Sequence, residues 1–350
     1  MKIHVIGGGI IGMSTAYQLS KDGHEITVFE KDPAYSESSF ARSCGGFRAQ
    51  YFTPTNVEMS RYSIDFVKNQ TDVEFTGNGY LMLFGLDQKA DHDYSYKMQR
   101  EMGASTIKLN NRQMEISHSY INSDDIYSGC ITTDGSEGWL DPVSLHKWYK
   151  ENTDCKFIYA DGTKVNHDDA EAVVITAGCW SYKVGKTFGL SIPVLPHKHT
   201  VFNVSTSKPV IKDMPLIADL ITGIYLRPEG NGYIVGYDGN GTLDSEDLEP
   251  DWNSWDEVWE HLYHRFPDYF DEAKMTGAWA GYYDKSAIDN NAIIDHRDKY
   301  FFATGFTGRG LMHSPAVGLT LSEMIQNKPL TFDVSSYKIN RKPYTEKYVI

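Results

Sequence analysis

The sequence predicts an α/β protein with a discontinuous first domain into which a second, β-rich domain is inserted twice. Three observations predict it. The first 32 residues carry a complete β-α-β pattern, two more strand-glycine-helix patterns lie in the middle and at the end, and the intervening stretches turn β-rich. The first domain is expected at 1–79, 138–193 and 286–350, and the second at 80–137 and 194–285.

The elements follow in order. "KIHVIG" is a short buried strand, "IIGMSTAYQLSKDG" a helix closed by Gly23, and "HEITVFEKD" a second strand. "NVEMSRYSIDFVKNQT" has helical spacing of apolar residues. From "GYLMLFG" the pattern is mixed, with a polar helix near 87–103 and short strands up to "YSGCITTDGSEG". "DPVSLHKWYKENT" predicts a helix with Asp141 as its N-cap and Pro142 at its first position. "EAVVITAGCWS" is a buried strand entering a glycine turn. The β-rich part holds "KHTVFNVS", "GIYLRPEG" and "NGYIVGYDG", then a helix in "SWDEVWEHLYHRF" and a strand around "MTGAWAGYYD". "AIID", "YFFATGFTGRG" and a helix in "SPAVGLTLSEMIQ" close the pattern.

The 350 residues have a formal net charge of −14, which argues against a nucleic-acid partner because phosphate binding needs a basic surface. Aromatic residues make up 13%, with 23 tyrosines, which fits extensive aromatic packing or a flat ligand. The cysteines at 44, 130, 155 and 179 form no C-x-x-C pair, which favours a reducing compartment over a disulfide framework. The N-terminal apolar run lacks a cleavage site and no segment is long enough to span a membrane, so a cytoplasmic protein is expected. The 12 histidines are dispersed, and "HKH" at 197–199 is a poor metal site.

In "IGGGIIG", Gly7, Gly9 and Gly12 supply a G-x-G-x-x-G fingerprint between a strand and a helix. Gly7 permits the turn, Gly9 lets backbone approach a diphosphate, and Gly12 allows close packing. The diphosphate would meet the free N–H groups at Ile10 and Ile11, where the helix dipole favours an anion. Glu30 ends the second strand and is placed to accept hydrogen bonds from ribose hydroxyls; its charge disfavours the 2′-phosphate of NADP. NAD and FAD both remain compatible. "VVITAGCWS", ending in Thr176, Ala177 and Gly178, and "TGFTGRG", with Gly305, Gly308 and Gly310, are either ordinary strand-to-turn junctions or seats for a second electron-rich group. A flavin N1–C2=O edge at a helix N-terminus is such a group.

Five blocks, in this order, resemble the D-amino-acid oxidase superfamily of FAD enzymes, in particular its sarcosine oxidase, dimethylglycine dehydrogenase and dye-linked L-proline dehydrogenase branch. They are "VIGGGIIGMSTAYQLSKDGHEITVFEKD", "SSFARSCGGFRAQY", "VVITAGCWS", "WAGYYDKSAIDNNAIID" and "FFATGFTGRGLMHSPAVGLTLSEMI". The resemblance implies a Rossmann-like FAD-binding domain, a substrate domain built on a large mixed β-sheet, and an active site between them. It implies that Ser38, Ser39 and Arg42, with neighbouring Lys31, Ser43, Cys44, Gly45 and Gly46, wrap the pyrophosphate and flavin. Val165 matches the residue whose backbone meets adenine, although the region around it is shortened. Trp180, Phe306, Arg309, Leu311 and Met312 complete the expected cofactor contacts.

The departures from that pattern also carry expectations. Covalent flavin linkages in relatives use a cysteine matching Gly281 or a histidine near Ser43, so FAD is expected to bind non-covalently. The oxygen-activating lysine of monomeric sarcosine oxidase matches Ile234, which favours a dehydrogenase passing electrons to a dye-like carrier over a fast oxidase using oxygen. The implied reaction oxidises the C–N bond of a small amino acid, by hydride transfer from the α-carbon to flavin N5. The substrate class is a secondary amine such as sarcosine or L-proline. A D-amino-acid or glycine oxidase acting on a primary amine is an alternative, as is a non-catalytic flavoprotein assembly factor with a similar "CGGFR" block. Arg48 matches a carboxylate-binding arginine, whereas Met312 replaces the second cationic ligand, for which His313 or Arg309 could substitute. Tyr225, Tyr237 and Tyr283 are expected to line the pocket, and Asp238 stands where sarcosine oxidase has a histidine. A homo- or hetero-oligomer is compatible with these relatives.

Overall fold

The computed structural model describes residues 1–349. A six-stranded sheet runs in the order Ile293–Arg297, Tyr300–Thr304, Ala172–Ile175, Lys2–Ile6, Glu25–Glu30, Lys156–Tyr159. All neighbours are parallel except the hairpin 293–304 at one edge. The central strands Lys2–Ile6 and Ala172–Ile175 are buried along nearly their whole length because helices cover both faces. The helices Ile10–Ser20 and Gly310–Ile325 pack together on one face, while Ser181–Thr187 lies on the other. Ten of the eleven residues in the first helix are buried, so it has almost no polar stripe.

The last helix begins four residues before the "SPAV" motif and runs through Pro315. A proline in a helix interior frees the carbonyl four residues earlier. Here that carbonyl, of Leu311, accepts a hydrogen bond from Ser314 Oγ at 2.8 Å. Asp141 caps the helix Pro142–Glu151, accepting from the Val143 and Ser144 N–H groups.

The second sheet has nine strands. Its spine is the long strand Val194–Ser205, which pairs along one edge with Lys274–Ser286. Its other edge pairs with Gly232–Tyr237 and the short Thr242–Leu243. The sheet continues through Ile224–Glu229 and Leu216–Asp219, crosses in parallel to Tyr80–Phe84, and ends at Ser128–Ile131 and Ile107–Leu109. This single parallel step makes it a mixed sheet. The helix Trp255–Arg265 covers one face, with Arg265 wholly buried between Asp219 and Asp125. A three-stranded antiparallel sheet, made from 46–47, 75–76 and 138–140, lies at the junction of the two large sheets. No helix is long and apolar enough to cross a membrane among the described residues.

Candidate functional site

A cleft of about 630 Å³ opens at the carboxyl ends of the parallel strands and continues to the face of the nine-stranded sheet. Its first end is the glycine loop. Gly7 has φ +102°, and a Cβ there would lie 2.6 Å from the Thr176 carbonyl oxygen. A Cβ on Gly12 would lie 1.9 Å from the Gly7 carbonyl oxygen. A Cβ on Gly9 would meet nothing within 4 Å, because Gly9 faces the cleft. The crowding is thus internal at Gly7 and Gly12, while the backbone at Gly9 is left open for a ligand. Gly9 is also the N-cap of the first helix and offers no capping side chain, which leaves first-turn N–H groups for an anion.

Glu30 Oε2 accepts from the Gly8 N–H and Oε1 from the Asp32 N–H, both at 2.9 Å. These bonds tie the acidic strand end to the glycine loop and aim the carboxylate along the cleft wall; burial pushes its pKa up. The segment 36–46 then crosses the cleft. Arg42 holds it there, donating through Nε and Nη2 to the Ser36 carbonyl and through Nη1 to the Ala280 carbonyl at 2.8 Å.

At the middle of the cleft, the Thr176–Gly178 turn meets the Gly305–Gly310 turn. Thr304 Oγ1 donates to the Gly178 carbonyl at 2.8 Å. Gly305, Thr307 and Gly308 all have positive φ, which aims the N-terminus of the last helix at the cleft. Asp284 underpins this turn. Its carboxylate accepts from the Gly305 and Phe306 N–H groups, and desolvation pushes its pKa up to about 6.

The far end is walled by Tyr80, Tyr225, Tyr283, Leu216, Gly46 and Met312. Gly236 makes room for the Tyr225 ring, since a Cβ there would lie 2.0 Å from Tyr225 Cζ. The Tyr283 ring lies 4.3 Å from that of His199, centroid to centroid. Tyr225 and Tyr283 share a hydrogen bond, and desolvation raises the pKa of both phenols and of Tyr80, so all three stay protonated.

Behind this wall Tyr51 donates to Met312 Sδ. Two buried guanidiniums lie against the Tyr51 ring, Arg48 at 4.1 Å and Arg309 at 5.9 Å from its centroid. Arg48 donates to the carbonyls of Gln50 and Tyr348, and Arg309 to those of Asn290 and Thr307. Arg309 Nε is buried without a partner. Among the described residues no carboxylate lies within 4 Å of either guanidinium.

The structure therefore brings Gly7, Gly9, Ile10, Ile11, Glu30, Lys31 and the segment Ser38, Ser39, Arg42, Ser43, Cys44 and Gly46 to one cleft. Thr176, Ala177, Gly178, Trp180, Phe306, Gly308, Gly310, Leu311, Met312, Tyr225 and Tyr283 line it as well. Gly12, Gly45, Gly305, Val165, Arg48 and Arg309 do not line it. Gly12 lies inside the helix Ile10–Ser20, Gly45 and Gly305 lie within turns that shape the wall, and Asp161, Gly162 and Thr163 form the wall near Val165. Arg309 is 3% exposed and faces Tyr51 rather than solvent. Tyr237 instead donates to Glu257, and Ile234 is buried within its strand. Sequence reasoning missed Tyr80, His199 and Asp284. The Asp284 position carried a usable signal, an acid directly after the "GYY" of a recognised block. No cluster of three or more histidine, cysteine or acidic residues is placed to hold a metal among the described residues.

An uncapped helix N-terminus behind the open Gly9 backbone, a buried acid at a strand end and a second glycine turn converge on one cleft, a set of groups that fits a dinucleotide such as that of a dinucleotide-dependent oxidoreductase. The chain belongs to the DAO family of FAD-dependent oxidoreductases, whose model matches residues 2–324. It is 30% identical to "FAD-dependent oxidoreductase domain-containing protein 1" of Xenopus laevis, over 99% of this chain and 84% of that protein. It is 22% identical to a glycine oxidase of Geobacillus kaustophilus (strain HTA426), over 97% of this chain and 96% of that one. Among solved structures, L-proline dehydrogenase from P. horikoshii superposes with a TM-score of 0.85 at 26% identity, covering 96% of each chain.

Proposed function

We propose that the protein is an FAD-dependent dehydrogenase that oxidises the C–N bond of a small amino acid, with a secondary amine such as sarcosine or L-proline as its substrate class. The observation that carries this reading is the pair of buried guanidiniums, Arg48 and Arg309, set behind the tyrosine wall without a carboxylate partner. A buried cation without an acid is costly unless an anion completes it, and a substrate carboxylate is such an anion. The names of relatives support C–N oxidation of a small amino acid and divide on the amine: proline is secondary, glycine primary, and the dimethylglycine of a rat dehydrogenase, 25% identical over 96% of this chain and 44% of that protein, tertiary.

When bound, FAD supplies the acceptor for the hydride leaving the α-carbon. The chain's own residues bind, orient and dry the site. Arg48, one layer behind the wall that Met312 and the phenols form, supplies the positive charge that draws the carboxylate to that end of the cleft. Tyr225 and Tyr283, held protonated by burial, offer hydrogen bonds but no base, so the amine enters in its neutral form. Gly281 and Ser43 have no side chain suited to a flavin bond, which supports non-covalent FAD. A buried Ile234 in place of a lysine supports a dye-like carrier over oxygen as the acceptor.

The test is an amino-acid panel assayed with dye and with oxygen as acceptors. Turnover of sarcosine or L-proline with dye is expected. Turnover of glycine or D-alanine alone overturns the secondary-amine class, and turnover of no amino acid by flavin-loaded protein overturns the catalytic reading.

A further inference from the structure

The segment Arg341–Tyr348 reaches back across the molecule to Arg48. Arg341 grips Asp289 with its Nε at 2.9 Å, and the Tyr344 N–H donates to the same carboxylate at 3.0 Å. Glu346 is 1% exposed and its carboxylate accepts four hydrogen bonds: Phe52 N–H and Thr53 N–H at 2.9 Å, Asn56 Nδ2 at 2.8 Å and Tyr348 N–H at 3.0 Å. Phe52 and Thr53 directly precede the helix Pro54–Gln70, so the carboxylate also sits where the helix dipole favours it. Tyr348 is then clamped at its other end. Its hydroxyl shares a hydrogen bond with Ser95 Oγ at 2.7 Å, and its ring packs edge-on to Phe84. Between these two clamps, its carbonyl accepts from Arg48 Nη2 at 2.5 Å.

We propose that residues 341–348 form a strap that positions the Arg48 guanidinium for the substrate carboxylate, with Glu346 as the positioning residue. The proposal rests on the reading of Arg48 given above. The geometry supports it in a specific way. A guanidinium has five donors in a fixed plane, and two carbonyls on one edge fix the direction of that plane. One of those carbonyls, that of Gln50, is local to Arg48; the other comes from 300 residues away and is held only by the strap. Glu346 touches neither Arg48 nor the cleft, yet four donors fix it two residues before the Tyr348 carbonyl.

The experiment titrates 2-furoate, a non-reactive carboxylate, into FAD-loaded protein and follows the flavin absorbance bands. Wild type, Arg48→Ala, Glu346→Ala, Glu346→Gln and Ser95→Ala are compared, with flavin content and thermal midpoint measured for each. Glu346→Ala is expected to weaken furoate binding by about tenfold to a hundredfold, since misplacing a binding group by about 1 Å has effects of that order. Glu346→Gln, which keeps one acceptor, is expected to fall between it and wild type. Ser95→Ala frees Tyr348 without touching Glu346, and is expected to weaken furoate binding severalfold at unchanged flavin content. Furoate binding as tight as wild type, or tighter, in Glu346→Ala and Ser95→Ala overturns the strap while Arg48→Ala still loses it. Wild-type binding by Arg48→Ala overturns the anchor reading itself, and the strap with it.

Discussion

Glu137 Oε2 accepts a hydrogen bond from Gln50 Nε2 at 2.8 Å, in a site where Glu137 is 1% exposed. Its other oxygen accepts from the Ala49 N–H at 2.7 Å, so the carboxyl is gripped by the segment that carries Arg48. Burial nevertheless dominates and pushes its pKa up to about 7 from 4.5. The folded chain therefore keeps a proton between those values that the unfolded chain releases, and stability falls as pH rises through this window. For Glu137→Gln the stability gain over wild type should grow by up to about 3 kcal/mol between about pH 4.5 and pH 8. Urea unfolding at both ends of the window checks this, and a pH-independent difference would remove Glu137 as the titrating group.

Gly9 and Gly12 should separate cofactor binding from folding. Gly12→Ala drives a methyl into the Gly7 carbonyl, so both thermal midpoint and flavin content should fall. Gly9→Ala places its methyl in the open cleft. The apoprotein should melt as wild type does, while FAD binds at least about tenfold more weakly, a difference of about 1.4 kcal/mol. Differential scanning of apo and FAD-loaded forms distinguishes the two patterns.

Acid precipitation should release all the flavin to the supernatant. Two thiols line the cleft, Cys44 and Cys179, and burial pushes the pKa of both up, that of Cys44 to about 11. A thiol held that far above neutrality is a poor nucleophile. Yellow colour retained in the pellet would contradict non-covalent binding.

Arg265 should be the most sensitive single position on the helix that covers the nine-stranded sheet. Its guanidinium and the Asp219 carboxylate are both fully buried, joined at 2.7 Å, and Asp125 completes the cluster at 2.6 Å. Replacing Arg265 by Met leaves Asp219 as an uncompensated buried charge, at a cost of about 3–5 kcal/mol. Denaturant unfolding measures this directly; a loss under about 1 kcal/mol would mean that the cluster contributes no net stability.

The glycine-loop end of the cleft was legible in the sequence because its signals are local. A turn glycine, a helix start and an acidic strand end all fall between Gly7 and Glu30, and each obeys a short-range rule. The tyrosine end was legible only in part. Tyr80 reaches the cleft because Tyr80–Phe84 pairs in parallel with Leu216–Asp219, and no periodicity in either strand announces that partner. The helix Asn111–Ser117 was missed although its capping box, Asn110 with Gln113, stands in the sequence; its apolar stripe is too short to mark a helix. Arg48 was singled out by resemblance, but its carbonyl partners were invisible, since Tyr348 is brought there by a segment that carries no motif.

The close pairing of the first and last helices has a consequence for synthesis. Ser14 Oγ donates to the Ser314 carbonyl, and a Cβ on Gly318 would lie 2.3 Å from Ser14 Oγ, so these helices seal each other without a gap. During synthesis the strands Lys2–Ile6 and Glu25–Glu30 and the helix Pro142–Glu151 reach the first helix early, but its principal helical partner, Gly310–Ile325, comes late. Some three hundred residues, every strand of the nine-stranded sheet included, are made before that partner appears. The first helix is thus completed by the last one, and a chain interrupted before Ile325 would leave that shared face open.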